Sequence, residues 1–297
     1  MSFEKMNFGT PHIFDAIQDY VAIIDKKHNI LSINTAYLKM LEKDEKETIG
    51  KKCYDVLRGA FCHSKNCPLK YIIDNKEVIE VETEKVLVDG TRVPLILTAS
   101  PFTSSDGELI GIVQSLKDIT DLKLSNKKLE VLIDGIIKAL SNTVESRDPY
   151  TFGHQGRVAQ IAEDISRKMG LSESSIKVLW MAATIHDIGK IYVPSEFLTK
   201  PGKLSDIEFA VIKTHPDVGY QIIKNIEFEW PIAEMVRQHH ERMDGSGYPQ
   251  GLAGEEILLE SRILAVADTF EAMSSHRPYR PALGIDKAIE EIEKNSG

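Results

Sequence analysis

Ile176-Lys177-Val178-Leu179-Trp180-Met181-Ala182-Ala183-Thr184-Ile185-His186-Asp187 decides the reading of the second half of this chain. Ile176, Leu179, Trp180 and Ala183 recur at spacings of three and four, which predicts one buried helix face. That face then delivers His186 and Asp187, where a core expects apolar side chains. The same displacement recurs along the chain. Val158, Ile161, Ala162 and Ile165 predict a helix that Gly170 ends, and His154 shares their face. Ser205 caps a helix whose Glu208, Val211, Ile212 face ends in His215, just before Pro216. Ile232, Met235 and Val236 are followed on their stripe by His239 and His240, and a last helix, around Leu264 to Met273, reads as apolar except for Asp268.

One histidine on an apolar face is usually a hydrogen-bonded core residue. Five imidazoles and two carboxylates placed this way are different. Each unsatisfied buried polar group costs about 1–3 kcal/mol, and an isolated carboxylate more, so scattered burial would exceed a domain's usual net stability. Gathered around cations, the same groups become ligands. Histidine and carboxylate donors without thiolate suit iron, manganese, zinc or nickel, and do not suit a Cys-rich structural zinc site. Seven ligands exceed what one first-row ion takes, whereas two ions about 3.5–4 Å apart would use them all, with Asp187 as the bridge.

Composition sets the frame. The 297 residues are 42% hydrophobic and 27% charged, and 36 Lys and Arg against 45 Asp and Glu leave a formal charge of −9. This length predicts about two domains, each able to bury a core. No apolar run approaches the roughly 18 residues of a membrane span, and the first residues lack the order of a signal peptide, so the expected location is cytoplasmic and not in a membrane. The acidic balance argues against a nucleic-acid polymer as partner.

The first half has a different pattern. Tyr20 to Ile24 and Ile30 to Ile33 are β-rich runs around the turn Asp25 to Asn29, and Thr35 is expected to cap a short helix through Leu41. Val78 to Val88, Arg92 to Phe102 and Leu109 to Leu116 predict three strands joined at Asp89-Gly90 and Asp106-Gly107, with Pro94 at an edge or bulge. Together with the ending Asp118-Ile119-Thr120, this order resembles a PAS sensor domain, over residues 9–121. PAS domains often bind a small ligand or cofactor, or dimerise. Leu129, Leu132, Ile133, Ile136, Ile137 and Leu140 then predict a linking helix over 122–144, compatible with a coiled coil and a homodimer. All three cysteines, Cys53, Cys62 and Cys67, lie in the first half with His63 beside them. Three readings stay open for them: a Cys3His metal or iron–sulfur site, a thiol–disulfide sensor, or plain reduced cysteines.

His186-Asp187-Ile188-Gly189-Lys190 and His239-His240-Glu241-Arg242-Met243-Asp244-Gly245-Ser246-Gly247-Tyr248-Pro249 resemble the two name-giving motifs of the HD-GYP family, a branch of the HD phosphohydrolases. The likeness continues through Asp148 to His154, Lys200 to Leu204, Val266-Ala267-Asp268 and Arg277 to Arg280, and spans residues 145–297. It implies an all-α domain, so the whole chain reads as multidomain: α+β, linking helix, all-α. It also implies hydrolysis of the bacterial second messenger cyclic di-GMP to pGpG, and onward to GMP. Metal ligands are implied at His154, His186, Asp187, His215, His239, His240 and Asp268, holding two divalent ions, iron or manganese first among them. Some family members place a Glu four residues before the first ligand His and hold a third ion; here that position is Tyr150.

Two cations lower the pKa of a shared water toward about 7, so that hydroxide attacks phosphorus at neutral pH. Asp187 and Lys190 are the implied catalytic residues, with Lys190, Arg277 and Arg280 as substrate contacts, and Tyr248 open between a substrate contact, a partner contact and a packed ring. Asp244 to Pro249 is expected as a loop whose two glycines permit unusual φ, and the family uses it for contacts with cyclic di-GMP synthases. The alternatives are a silent receptor or synthase-binding scaffold, and a hydrolase of another nucleotide phosphodiester. The family usually continues beyond a segment like Ala288 to Gly297 into a further turn and helix, so the second domain is expected to lack its last helix.

Overall fold

A computed structural model describes residues 10–75, 77–87, 89–147, 152–275 and 282–295. The chain divides into two compact units, Met1–Leu129 and Glu130–Gly297. The first begins with α1 (Thr10–Ala16), β1 (Tyr20–Asp25) and β2 (Ile30–Ile33). Four short helices follow: α2 (Thr35–Leu41), α3 (Glu45–Thr48), α4 (Cys53–Val56) and α5 (Pro68–Asn75). Then come β3 (Ile79–Val86), β4 (Arg92–Thr103) and β5 (Leu109–Asp118). The strands form one antiparallel sheet in the order β2-β1-β5-β4-β3. Alternate residues Leu95, Leu97 and Ala99 of β4 point inward, as the two-residue strand period requires, and meet Tyr37, Leu57, Leu69 and Ile72 from the helical stretch. Gly90 and Gly107 take positive φ of 86° and 79° in the two hairpin turns.

Two local expectations change. The cap of α2 is Asn34 and not Thr35. Its buried amide accepts from the Val21 and Tyr37 backbone N–H and donates to the Ile17 and Asp19 carbonyls, at 2.8–3.0 Å, a set that a threonine hydroxyl cannot supply. Pro94 lies in β4, an interior strand, opposite Glu84 of β3, one residue before the pairing of β4 with β5 begins at Leu95. The missing N–H therefore interrupts no ladder on that side.

The helix α6 (Thr120–Glu145) carries the chain into the second unit. That unit contains α7 (His154–Met169), α8 (Glu173–Ile185), a 3-10 turn (Ile188–Tyr192), α9 (Ser195–Leu198), α10 (Asp206–Ile212) and α11 (His215–Ile223). It continues with α12 (Ile232–Gln238), α13 (Leu259–Ser274) and α14 (Ile285–Lys294). Val158, Ala162, Leu179, Ala183 and Leu264 pack where α7, α8 and α13 meet, and Ile185, Ile188, Ile223, Met235 and Val236 form a second cluster. Gly170 ends α7 at φ 77° and Ser205 caps α10, as the sequence predicts, while Glu208, read as part of the α10 stripe, turns back to complete a capping box with Ser205. His215, however, starts α11 and does not end α10, and α10 has no fully buried residue. Among the described residues no helix is long and apolar enough to cross a membrane.

Candidate metal centre

Helix ends place the imidazoles. His154 opens α7, His186 and His239 follow the last turns of α8 and α12, and His215 opens α11 three residues after α10 ends. The last carbonyls of a helix have no intrahelical partner. His186 Nδ1 donates to the Ala183 carbonyl at 2.6 Å, His215 Nδ1 to Ile212 at 2.7 Å, and His239 Nδ1 to Val236 at 2.5 Å. Each bond satisfies an orphan carbonyl, fixes the ring, and leaves Nε2 as a lone-pair donor facing inward.

Those inward atoms converge. His215, His239 and His240 offer donors within 4.8 Å of one another, and so do His154, His186 and Asp268. These two groups share no residue, and a third group, His186, Asp187 and His239, lies between them. Asp187 turns one oxygen toward each side, with Oδ2 3.5 Å from His186 Nε2 and Oδ1 3.2 Å from His215 Nε2. His154 Nε2 is 3.2 Å from Asp268 Oδ1. The seven residues singled out in the sequence thus meet in one place. His215 Nε2 lies 3.2 Å from His239 Nε2, although both rings direct Nδ1 to a carbonyl. Two lone pairs facing each other repel unless a cation sits against them, so the donor set fits divalent ions.

Electrostatics agree with that use. Burial first, then the neighbouring rings, pulls His239 well below the ordinary imidazole value and His240 down to about 3, while burial also lowers His186. These rings are therefore neutral donors at neutral pH. Burial alone would raise Asp187 and Asp268, but Lys190 and the histidines around Asp187, and His154 beside Asp268, hold both well below the carboxylate range. Burial would likewise lower His154, but its bonds to Asp268 and Glu271 outweigh that and push it up to about 9. The field that binds a proton there also attracts a metal cation.

Two glycines are required by close approach. A Cβ on Gly189 would collide with the His215 carbonyl and the Gly219 nitrogen, so glycine lets the turn after Asp187 lie against α11. In the loop after His240, Gly245 takes φ 78°, but Gly247 is needed because a Cβ would meet the backbone of Glu241 and Arg242. The Tyr248 ring then lies 4.8 Å from the His240 ring, and its phenol is pushed upward by burial and by Asp187 and Asp268. Lys190 Nζ donates to Asp187 Oδ2 at 2.6 Å.

Three buried carboxylates escaped the sequence reading. Glu271, on the helix read as apolar except for Asp268, is 2% exposed and accepts from His154 Nδ1, from Arg157 at 2.7 Å and from Ser275 at 2.7 Å. Its position three residues after Asp268 was the available signal. Glu241 accepts from the Gln250 and Leu252 N–H groups at 2.7 and 3.0 Å and so pins the Gly-rich loop. Glu145 accepts from the backbone of α7's first turn.

Other expected site residues stand apart or out of view. Arg277, Arg280 and Tyr150 lie outside the described residues. Cys53, Cys62 and Cys67 are free, half-buried thiols that line one cavity with Tyr37, Lys85 and Gln114, and all three also line a second cavity together with His63, His28 and Tyr54. Among the described residues these four form no group of three donors within 4.8 Å. Burial, and then the other two cysteines, pushes the Cys53 thiol up to about 12.

All seven converging residues lie in a stretch that matches a known family. The HD domain family matches residues 138–297, more than half of the chain. The chain belongs to the HD-domain family. A PAS domain matches residues 18–121, ahead of the HD domain. The HD domain is similar to the cyclic di-GMP phosphodiesterase response regulator RpfG of Xanthomonas campestris pv. campestris, 43% identical over 155 residues, 52% of this chain and 41% of that protein. It is also similar to 3'3'-cGAMP-specific phosphodiesterase 3 of Vibrio cholerae, 40% identical over 166 residues, 56% of this chain and 36% of that one. A cyclic di-GMP phosphodiesterase of Thermotoga maritima is 42% identical over 166 residues, 54% of this chain and 45% of its own length. The HD-domain chain thus spans less than half the length of these relatives.

Proposed function

We propose that the chain is a metal-dependent cyclic dinucleotide phosphodiesterase that hydrolyses cyclic di-GMP to pGpG and onward to GMP under control of its PAS domain. The observation that carries this reading is the pair of disjoint donor groups joined through Asp187. Two divalent ions, iron or manganese, would be held by His154, His186 and Asp268 on one side and His215, His239 and His240 on the other, with Asp187 between. Bound there, they would supply Lewis-acid stabilisation of the phosphoryl oxygens and a water acidic enough to lose its proton near pH 7. Asp187 keeps its charge because Lys190 and the rings face it, and that bond also holds the Lys190 ammonium where a phosphate would bind. Tyr248, neutral, with its ring 4.8 Å from that of His240 and tilted against it, would shield the centre from water. Arg277 and Arg280 would take the second phosphate and a guanine.

The identity of the relatives supports a second substrate as well, since proteins of similar identity are named for cyclic di-GMP and for 3'3'-cGAMP. The deciding experiment incubates the chain anaerobically with Fe(II) or Mn(II) and either dinucleotide, and separates the products. Formation of pGpG or GMP is expected. Tight binding of either dinucleotide without turnover would instead make the chain a receptor or a synthase-binding scaffold. A homodimer through the PAS domain and α6 completes the proposal, supported by the apolar residues Leu129, Leu132, Ile133, Ile136 and Leu140, which α6 leaves 41–59% exposed.

A further inference from the structure

The N-terminus of α7 lacks a cap of its own. Its N-cap residue is Gly153, at φ 72°, with no side chain to accept from the first free N–H groups. The acceptor comes from another helix. Glu145, the last residue of α6 and 4% exposed, takes the Gly153 N–H on one oxygen at 2.8 Å and the Gln155 N–H on the other at 3.1 Å. His154 lies between those two residues. Four residues before Glu145 on the same helix, Ser141 Oγ donates to the side chain of Gln155, which is 1% exposed. A buried carboxylate on a helix N-terminus is a strong clamp, because the charge meets both the free N–H groups and the positive end of the helix dipole.

Two residues further on, Arg147 reaches in another direction. Its guanidinium donates to the Ile191 carbonyl, to the Val193 carbonyl at 3.2 Å and to Ser195 Oγ at 3.4 Å. Ile191 belongs to the 3-10 turn that carries Lys190, Val193 and Ser195 follow that turn, and Lys190 holds Asp187. The end of α6 therefore grips both segments that position opposite parts of the centre: the first turn of α7 with His154, and the turn with Lys190.

We infer that Glu145 and Arg147 are positioning residues of the metal centre, through which the last turn of α6 sets the placement of His154 and of Lys190. The inference rests on the proposed metal centre and names its regulation: any shift of α6 against α7 moves a ligand and the cation beside Asp187 together. Neither residue is among the converging donors, so each acts through what it holds.

The test uses the full chain and Mn(II) binding by equilibrium dialysis, with hydrogen exchange as the second readout. Glu145→Ala is expected to weaken Mn(II) binding at least tenfold, in the range typical for loss of a partner that orients a ligand, while Glu145→Gln recovers part of the loss. Arg147→Ala is expected to raise amide exchange at Lys190 and Val193 at least tenfold without changing the number of ions bound. Ile176→Ala is the control for general destabilisation, since Ile176 is buried about 15 Å along α8 from His186. Mn(II) affinity in Glu145→Ala equal to that of the unaltered chain overturns the inference, as does equal weakening by Ile176→Ala. An unaltered chain that takes up no Mn(II) overturns the metal centre itself and this role with it.

Discussion

Replacing Glu271 with alanine removes a buried carboxylate that bonds His154 Nδ1, on the side of the ring away from Asp268. Glu271 is 2% exposed, and its oxygens accept from His154 Nδ1, Arg157 and Ser275. Arg157 is half exposed and rehydrates, so its lost ion pair counts for little. His154 cannot rehydrate, because its side chain is 3% exposed. An unsatisfied buried donor costs about 1–3 kcal/mol, and losing the carboxylate behind a ligand histidine weakens metal binding by roughly 10–100-fold. At a metal concentration one hundred times the dissociation constant, one ion stabilises the fold by about 2.7 kcal/mol; a site thirtyfold weaker keeps only about 0.9 kcal/mol. Urea unfolding of the unaltered chain and of Glu271→Ala, each with and without Mn(II), reads both quantities. The variant should lose stability without metal and also lose roughly 1.8 kcal/mol of the metal's contribution. If Mn(II) stabilises both proteins equally, Glu271 does not support a ligand, and the placement of His154 in the centre is wrong.

Further outcomes follow from neighbouring contacts. Gly189→Ala should cost at least about 2–3 kcal/mol and lower the melting temperature of the HD domain by 5 °C or more, roughly, because its Cβ meets backbone; a melting curve that does not move would refute the close approach. Lys190→Met should keep both ions, measured by metal analysis, and lower kcat/KM about 100-fold through loss of one charge at the phosphate site; unchanged turnover would remove Lys190 from the site. The half-buried thiol of Cys53, with its pKa pushed up to about 12, should be alkylated by iodoacetamide slowly at pH 8, where about one thiol in ten thousand is ionised, and about tenfold faster per pH unit. Equal rates in the native chain and in urea would show that burial does not protect it.

The sequence made His154, His186, Asp187, His239, His240 and Asp268 legible because they interrupt or end an apolar stripe, and periodicity reports that without any knowledge of packing. His215 was named from a stripe on α10 that the fold leaves without a fully buried residue, and it opens α11 instead. The sequence also predicted the five strands and their hairpins, since alternation and Asp-Gly turns are local signals. The Asn34 cap went to the wrong residue because Thr35, too, is a good cap, and the choice depends on carbonyls of Ile17 and Asp19 far back in the chain.

What the sequence could not decide is which polar residue faces which. Glu145, Glu241 and Glu271 look like ordinary helix and loop glutamates, because a surface glutamate and a buried clamp have the same local pattern. Only the packing of α6 against α7, of α13 against α7, and of the Gly-rich loop against its own start turns them into acceptors for a helix end, a ligand ring and two loop amides. The same holds for Gly189 and Gly247, whose need is steric and arises from backbones distant or folded back in space. Donor identity is a property of residue type and period, and so belongs to the sequence. Donor geometry, and the carboxylates that enforce it, come from contacts between helices and exist only once the chain is folded.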